Sequence, residues 1–264
     1  MRKYLHVSLT AILESAAYPN KFFTLTILNA ATVFVFFLIW RSILADKSEI
    51  LGYTLPSLIT YYTITYLAKY LTVSGQVAKI LSEGIHAGKL SFFLIKPISF
   101  NSYAFIKTLT EKIIKSITPA IIVIFLTIFF NQFFLAPSIT NFILFLISLI
   151  FASLINYFIY ALIGACAFWI IKISGLRSIL GRLIDILNGS LFPLDFLPAT
   201  FTKFTYWLPF RSMHYLPVSL YINRTSATEG LPQIGIQIIW VIILYYLYKQ
   251  VWKKGVKHYD AVGN

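Results

Sequence analysis

The chain is built from apolar runs as long as a lipid bilayer's core is thick, separated by short polar segments rich in lysine. The longest, residues 142–171, contains no acidic or basic residue at all. A segment of about 20 apolar residues spans the roughly 30 Å hydrocarbon core as an α-helix, the form that satisfies its own backbone hydrogen bonds away from water. Such runs cover too much of the 264 residues for one or two soluble domains. Only 12% of residues are charged, against about a quarter in a soluble domain. The reading is an all-α membrane protein with a single transmembrane domain over residues 1–264.

Six spans are predicted, at residues 22–40, 51–71, 117–135, 142–171, 176–192 and 234–251. Pro56 is expected to kink the second. Residues 1–20 read instead as an interfacial amphipathic helix, with Leu5, Leu9, Ile12, Leu13 and Ala16 on one face. They lack the compact apolar core and cleavage site of a signal peptide. Residues 72–115 form the longest polar segment, and residues 194–232 a semi-polar one whose apolar pieces are too short to cross. Re-entrant or interfacial helices suit the latter, with Pro193 and Pro198 at its turn.

The net charge of +13 does not indicate nucleic acid, because the basic residues sit in the gaps between apolar runs. There they act as topology signals. All but Arg41, Lys47, Lys203, Arg211 and Arg224 of the 22 lysines and arginines fall on one side, which the positive-inside rule makes cytoplasmic. Both termini are then inside, as an even number of spans requires, in the inner (plasma) membrane of a prokaryote.

Enzymatic signatures are absent. The sequence holds no G-x-x-x-x-G-K-[ST], no H-E-x-x-H and no G-x-S-x-G. Cys166 is the lone cysteine, and His6, His86, His214 and His258 are scattered, so no metal site and no catalytic residue is assigned. Gly84 and Gly88 make a G-x-x-x-G in a polar loop, a poor setting for helix dimerisation. Arg182 and Asp185 share a helix face within the fifth span. They are read either as an intramembrane pair on a translocation path or as a snorkelling arginine with its partner at the interface.

The 72–115 segment carries the strongest local pattern. Val77, Ile80, Leu81 and Ile85 form an apolar stripe, with Lys79, Ser82, Glu83 and His86 around the remainder. A short helix lying along the membrane with polar groups toward the cytosol suits docking to a peripheral partner, or simple anchoring at the interface. The run Glu83-Gly84-Ile85, Gly88, Leu90 and Leu94-Ile95-Lys96-Pro97-Ile98 resembles the cytoplasmic loop of ABC transporter permeases of the type-2 export class. Gly189-Ser190-Leu191-Phe192-Pro193-Leu194, Phe196 and Leu197-Pro198, followed by Leu208-Pro209-Phe210, is similar to the segment where the fifth helix of those permeases ends and re-enters. The order of elements along nearly the whole chain agrees.

The resemblance implies a half-size permease that moves substrate outward using ATP hydrolysed by separate cytoplasmic ATPase subunits. ATP and magnesium would bind the partner, and no cofactor this chain. A second copy or a sister permease would complete a dimer, with spans two and five lining the path. The implied coupling residues are Lys79, Ile80, Glu83, His86, Gly88, Lys89, Lys96 and Pro97. The rival reading is an ion-coupled secondary transporter or channel, which calls for charges deep in several spans and inverted repeats. The sequence supplies a single candidate pair and no convincing repeat.

Overall fold

A computed structural model describes residues 2–16, 19–72, 75–95 and 98–259. It is 80% helical, with no strand among the described residues. The helices are α1 (Arg2–Ala16), α2 (Pro19–Ile43), α3 (Leu55–Leu71), α4 (Gln76–His86), α5 (Lys89–Leu94) and α6 (Phe100–Phe129). They continue with α7 (Ile139–Ala165), α8 (Ile173–Leu187), α9 (Ala199–Tyr206), α10 (Tyr215–Tyr221) and α11 (Ala227–Lys257). Residues 100–129, 139–168 and 227–257 are long and apolar enough to cross a membrane, and shorter apolar helices accompany them. The chain is a multi-pass membrane protein.

Long-range packing centres on α7, which lies along α11, meets α4 near its own C-terminus, toward the lysine-rich end of the protein, and α10 near its N-terminus. The core divides accordingly. Toward the lysine-poor end, Tyr53, Leu58 and Tyr61 pack with Leu144, Leu194, Leu216 and Leu220. Toward the lysine-rich end, Val77, Leu81, Leu90 and Phe100 pack with Tyr157, Ala161 and Tyr248. Many isoleucines and phenylalanines remain exposed on α6, α7 and α11, where lipid is as apolar as a protein core and needs no polar covering.

Several boundaries differ from the sequence reading. Pro56 sits in the first turn of α3 and opens it instead of kinking it. Proline lacks an N–H, and the first-turn amides of a helix have no internal acceptor anyway. Residues 51–54 form a turn, with Leu51 and Gly52 at positive φ. The helix carrying the third apolar run starts at Phe100, inside the segment read as a loop, and ends at Phe129. Its lysines are met by partners, as in Lys115 with Glu111 at 2.9 Å and Lys107 with Glu14 of α1 at 2.7 Å. Low hydropathy therefore did not end the helix. In α1, Val7 and Ala11 are buried and Ser8 meets Thr110 of α6, whereas Leu5, Leu9, Ile12 and Leu13 stay exposed. These four residues of the stripe thus face away from the protein, and the side chain of Ala16 lies outside the described residues.

Candidate functional site

Helix α4 is the most amphipathic short element, and its burial follows its pattern. Val77, Ala78, Leu81, Ser82, Gly84 and Ile85 are buried, against α7, α6 and the 166–168 turn. Two glycines permit the close fit. A Cβ on Gly164 of α7 would meet Ala78 Cα and Leu81 Cβ at 3.0 Å, and one on Gly84 would lie 2.2 Å from the tip of the Phe100 ring. Gly84 therefore serves packing inside one chain, not helix dimerisation. Gly88, at φ 71°, turns the chain out of α4 and into α5, a left-handed conformation that side chains with a Cβ resist.

The opposite side of α4 is open. Lys79 and Glu83 are exposed and lie 3.7 Å apart, Ile80 is half-buried, and Lys89 is exposed at the start of α5. Phe92 and Ile95, later in the same segment, are also exposed. His86 behaves differently from its neighbours. Its Nε2 lies 3.1 Å from the Ala167 carbonyl and 3.2 Å from that of Ile170, so it ties α4 to the end of α7 and does not point outward with Glu83. Spacing alone put His86 among the outward groups, because the turn at residues 166–170 is invisible to a helical wheel. Lys96 and Pro97 lie outside the described residues.

Arg182 and Asp185 are both on α8 but form no ion pair. Arg182 is exposed, and Asp185 accepts a hydrogen bond from the Ser190 hydroxyl at 3.3 Å. Only Ile173 and Ile184 of α8 are buried, and Ile179, Leu183 and Ile186 form an exposed apolar stripe. At 15 residues, α8 is about 22 Å long, shorter than the span read over 176–192. The chain leaves it through Gly189, at φ 80°, whose carbonyl accepts from the buried Tyr61 hydroxyl at 2.6 Å. Pro193 then leads into a short 3-10 turn and Pro198 into α9, both with extended ψ.

At the lysine-poor end a polar knot joins four segments. Asp195 Oδ2 accepts from the Tyr53 hydroxyl at 2.5 Å and the Tyr215 hydroxyl at 2.7 Å. It lies 3.6 Å from Arg224 Nε. The Arg224 guanidinium sits 4.9 Å from the Tyr53 ring centre and donates to the Leu51 carbonyl at 3.0 Å. Arg211 lies over the Tyr215 ring at 4.3 Å. Burial, reinforced by Tyr215 and Asp195, holds the Tyr53 phenol well above the usual tyrosine range, so it stays a donor at physiological pH. Sequence reasoning missed Asp195, and the one available signal was an acidic residue in an otherwise acid-free stretch, residues 186–228.

Among the described residues no cluster of three or more histidine, cysteine, aspartate or glutamate side chains could hold a metal. The family model for ABC-2 family transporter proteins matches residues 11–263. No curated protein matches the chain.

Proposed function

This chain belongs to the ABC-2 family of transporter proteins, and from that membership we propose that it is the permease subunit of an ATP-driven exporter, powered by separate ATPase subunits. The observation carrying this reading is α4: an amphipathic helix seated against α6 and α7 with Lys79 and Glu83 exposed. The sequence holds no G-x-x-x-x-G-K-[ST] nucleotide-binding signature, and in this reading energy arrives through such a surface. In this reading α2, α3, α6, α7, α8 and α11 are the six crossings, α8 being completed by the segment after Gly189. Helices α9 and α10 are re-entrant, α1 is interfacial, and the lysine-rich face, with both termini, is cytoplasmic.

ATP binding would draw two partner ATPases together and displace α4. Gly164, Phe100 and His86 seat α4 against the ends of α6 and α7, and α7, which packs on α10, would carry the motion there. The exposed stripe of α8 supports a dimer, with a second copy or a sister permease covering it and the path running between α3 and α8 of the two subunits. Inner-membrane placement and outward transport complete the proposal.

Reversing Glu83 tests the docking surface. An exposed ion pair contributes roughly 0.2–1 kcal/mol, and reversal adds a like-charge contact, so Glu83→Lys should weaken ATPase association by about tenfold. Insertion and dimerisation should be unchanged. Wild-type pull-down and turnover would remove Glu83 from the interface, and transport that persists without any ATPase would favour ion coupling. Topology is tested separately. Ser226 caps α11 through a reciprocal capping box with Glu229, so the label belongs on exposed Thr228. In a Cys166→Ser background, Thr228→Cys should react with a membrane-impermeant thiol reagent from outside, and labelling only from inside would invert the orientation.

A further inference from the structure

Helices α1, α6, α7 and α11 line an open groove of about 1040 Å³. Phe105, Phe158 and Tyr245 are among its apolar lining. Lys249, Lys253 and Lys257 stand along its edge, four residues apart and so on one side of α11. All three are exposed, and none forms an ion pair among the described residues. Asn101, also in the lining, is held by two tyrosines. Its side-chain oxygen accepts from the Tyr248 hydroxyl at 2.7 Å, and its carbonyl from that of Tyr157 at 3.1 Å. Ser99 and Ser102 also line the groove and form the capped first turn of α6, the positive end of that helix.

We propose that this groove seats an anionic phospholipid of the cytoplasmic leaflet, its phosphate against the lysine row and its acyl chains along the apolar wall. The inference rests on the reading that places the end of α11 at the cytoplasmic face. Charge complementarity selects the occupant. Three unpaired cations beside an apolar wall match one negative headgroup joined to hydrocarbon, as basic pockets between spanning helices do. A second copy docked two-fold through this face would set an identical lysine row against this one and be repelled. A soluble anion would leave the wall uncovered.

Native mass spectrometry of the detergent-purified chain supplies the test, with phosphatidylglycerol and phosphatidylcholine of identical acyl chains as probes. The wild type should retain phosphatidylglycerol about tenfold more tightly. Combining Lys249→Gln, Lys253→Gln and Lys257→Gln should reduce the preference to within about twofold. The combination Lys47→Gln, Lys203→Gln and Lys254→Gln removes the same charge elsewhere and should keep it. Equal retention of both lipids by the wild type, or an equal loss in the control, would overturn the site. So would disulfide formation between copies carrying Lys253→Cys, which would give the groove to a second subunit. ATPase pull-down on the same preparations separates the two readings. Recruitment without lipid preference sinks the lipid site alone, and lipid preference without recruitment sinks the exporter reading alone.

Discussion

Gly84→Val should destabilise the protein by about 2–3 kcal/mol and remove most ATPase-coupled transport. The added Cβ would sit 2.2 Å from the Phe100 Cζ and 2.9 Å from its Cε1, far inside any permitted contact. The ring cannot simply swing aside. It is 4% exposed and has Phe93 at 4.9 Å, Tyr103 at 6.3 Å and Trp252 at 6.4 Å between ring centres. Replacing a mid-helix glycine ordinarily gains up to about 1 kcal/mol of helix propensity, so the overpacking term decides the sign. Either α4 lifts from α6 or the aromatic cluster rearranges, and both move the surface that presents Glu83. The control is Phe100→Leu, which removes the ring tip. Gly84→Val should recover stability in that background, measured as thermal unfolding in detergent together with ATPase pull-down. A wild-type midpoint in the single variant would show that α4 is not seated on Phe100.

Asp195→Ala should cost about 3 kcal/mol, a figure set by the tyrosines more than by the arginine. Hydrogen bonds to a charged group contribute about 1.5–3 kcal/mol each, and removing the acceptor strands the hydroxyls of Tyr53 and Tyr215. Both tyrosines are essentially buried, at 0% and 2% exposure. The Arg224 contact adds less, because its side chain is 37% exposed and water screens it. Asp195→Asn should fall between, keeping a neutral oxygen in place of the charged Oδ2 that accepts from both tyrosines. A cycle combining Asp195→Ala with Tyr53→Phe should be non-additive, since removing the hydroxyl removes its desolvation penalty. An Asp195→Ala variant within about 0.5 kcal/mol of wild type, the range of ordinary surface substitutions, would mean that the knot does not hold residues 51–54 to the segment after α8.

The α4 pattern was legible because amphipathicity is a property of one segment. Val77, Leu81 and Ile85 are buried and Lys79 and Glu83 exposed, as their spacing requires, whereas Ile80 is only half-buried and Ser82, read with the outward groups, is buried. His86 defied the same wheel because its partners, the carbonyls of Ala167 and Ile170, lie 81 and 84 residues away. The start of α6 was hidden for a related reason. Residues 100–115 carry Lys107, Glu111, Lys112 and Lys115 and read as a loop, yet those charges are accommodated by Glu14, Gln76 and the Lys69 carbonyl. Arg182 and Asp185 show the converse case, a spacing that the surrounding turn does not use. Their spacing permits a pair, but the turn after α8 offers Asp185 the Ser190 hydroxyl, and Arg182 is left in the open.

The sequence by itself determined that this is an all-α membrane protein, which face is rich in lysine, and where the amphipathic helix lies. Those properties follow from hydropathy and periodicity, which act within a turn or two of chain, and from the cost of placing bare backbone in hydrocarbon. Only the tertiary structure decided that Gly84 must be glycine, and that Tyr53, Asp195, Tyr215 and Arg224 meet at one carboxylate. It also decided that Lys249, Lys253 and Lys257 border a groove shared with α1, α6 and α7. Each of these depends on the distance between side chains far apart in sequence. Steric exclusion and hydrogen bonding act over a few ångströms, so such contacts exist only once the helices have packed.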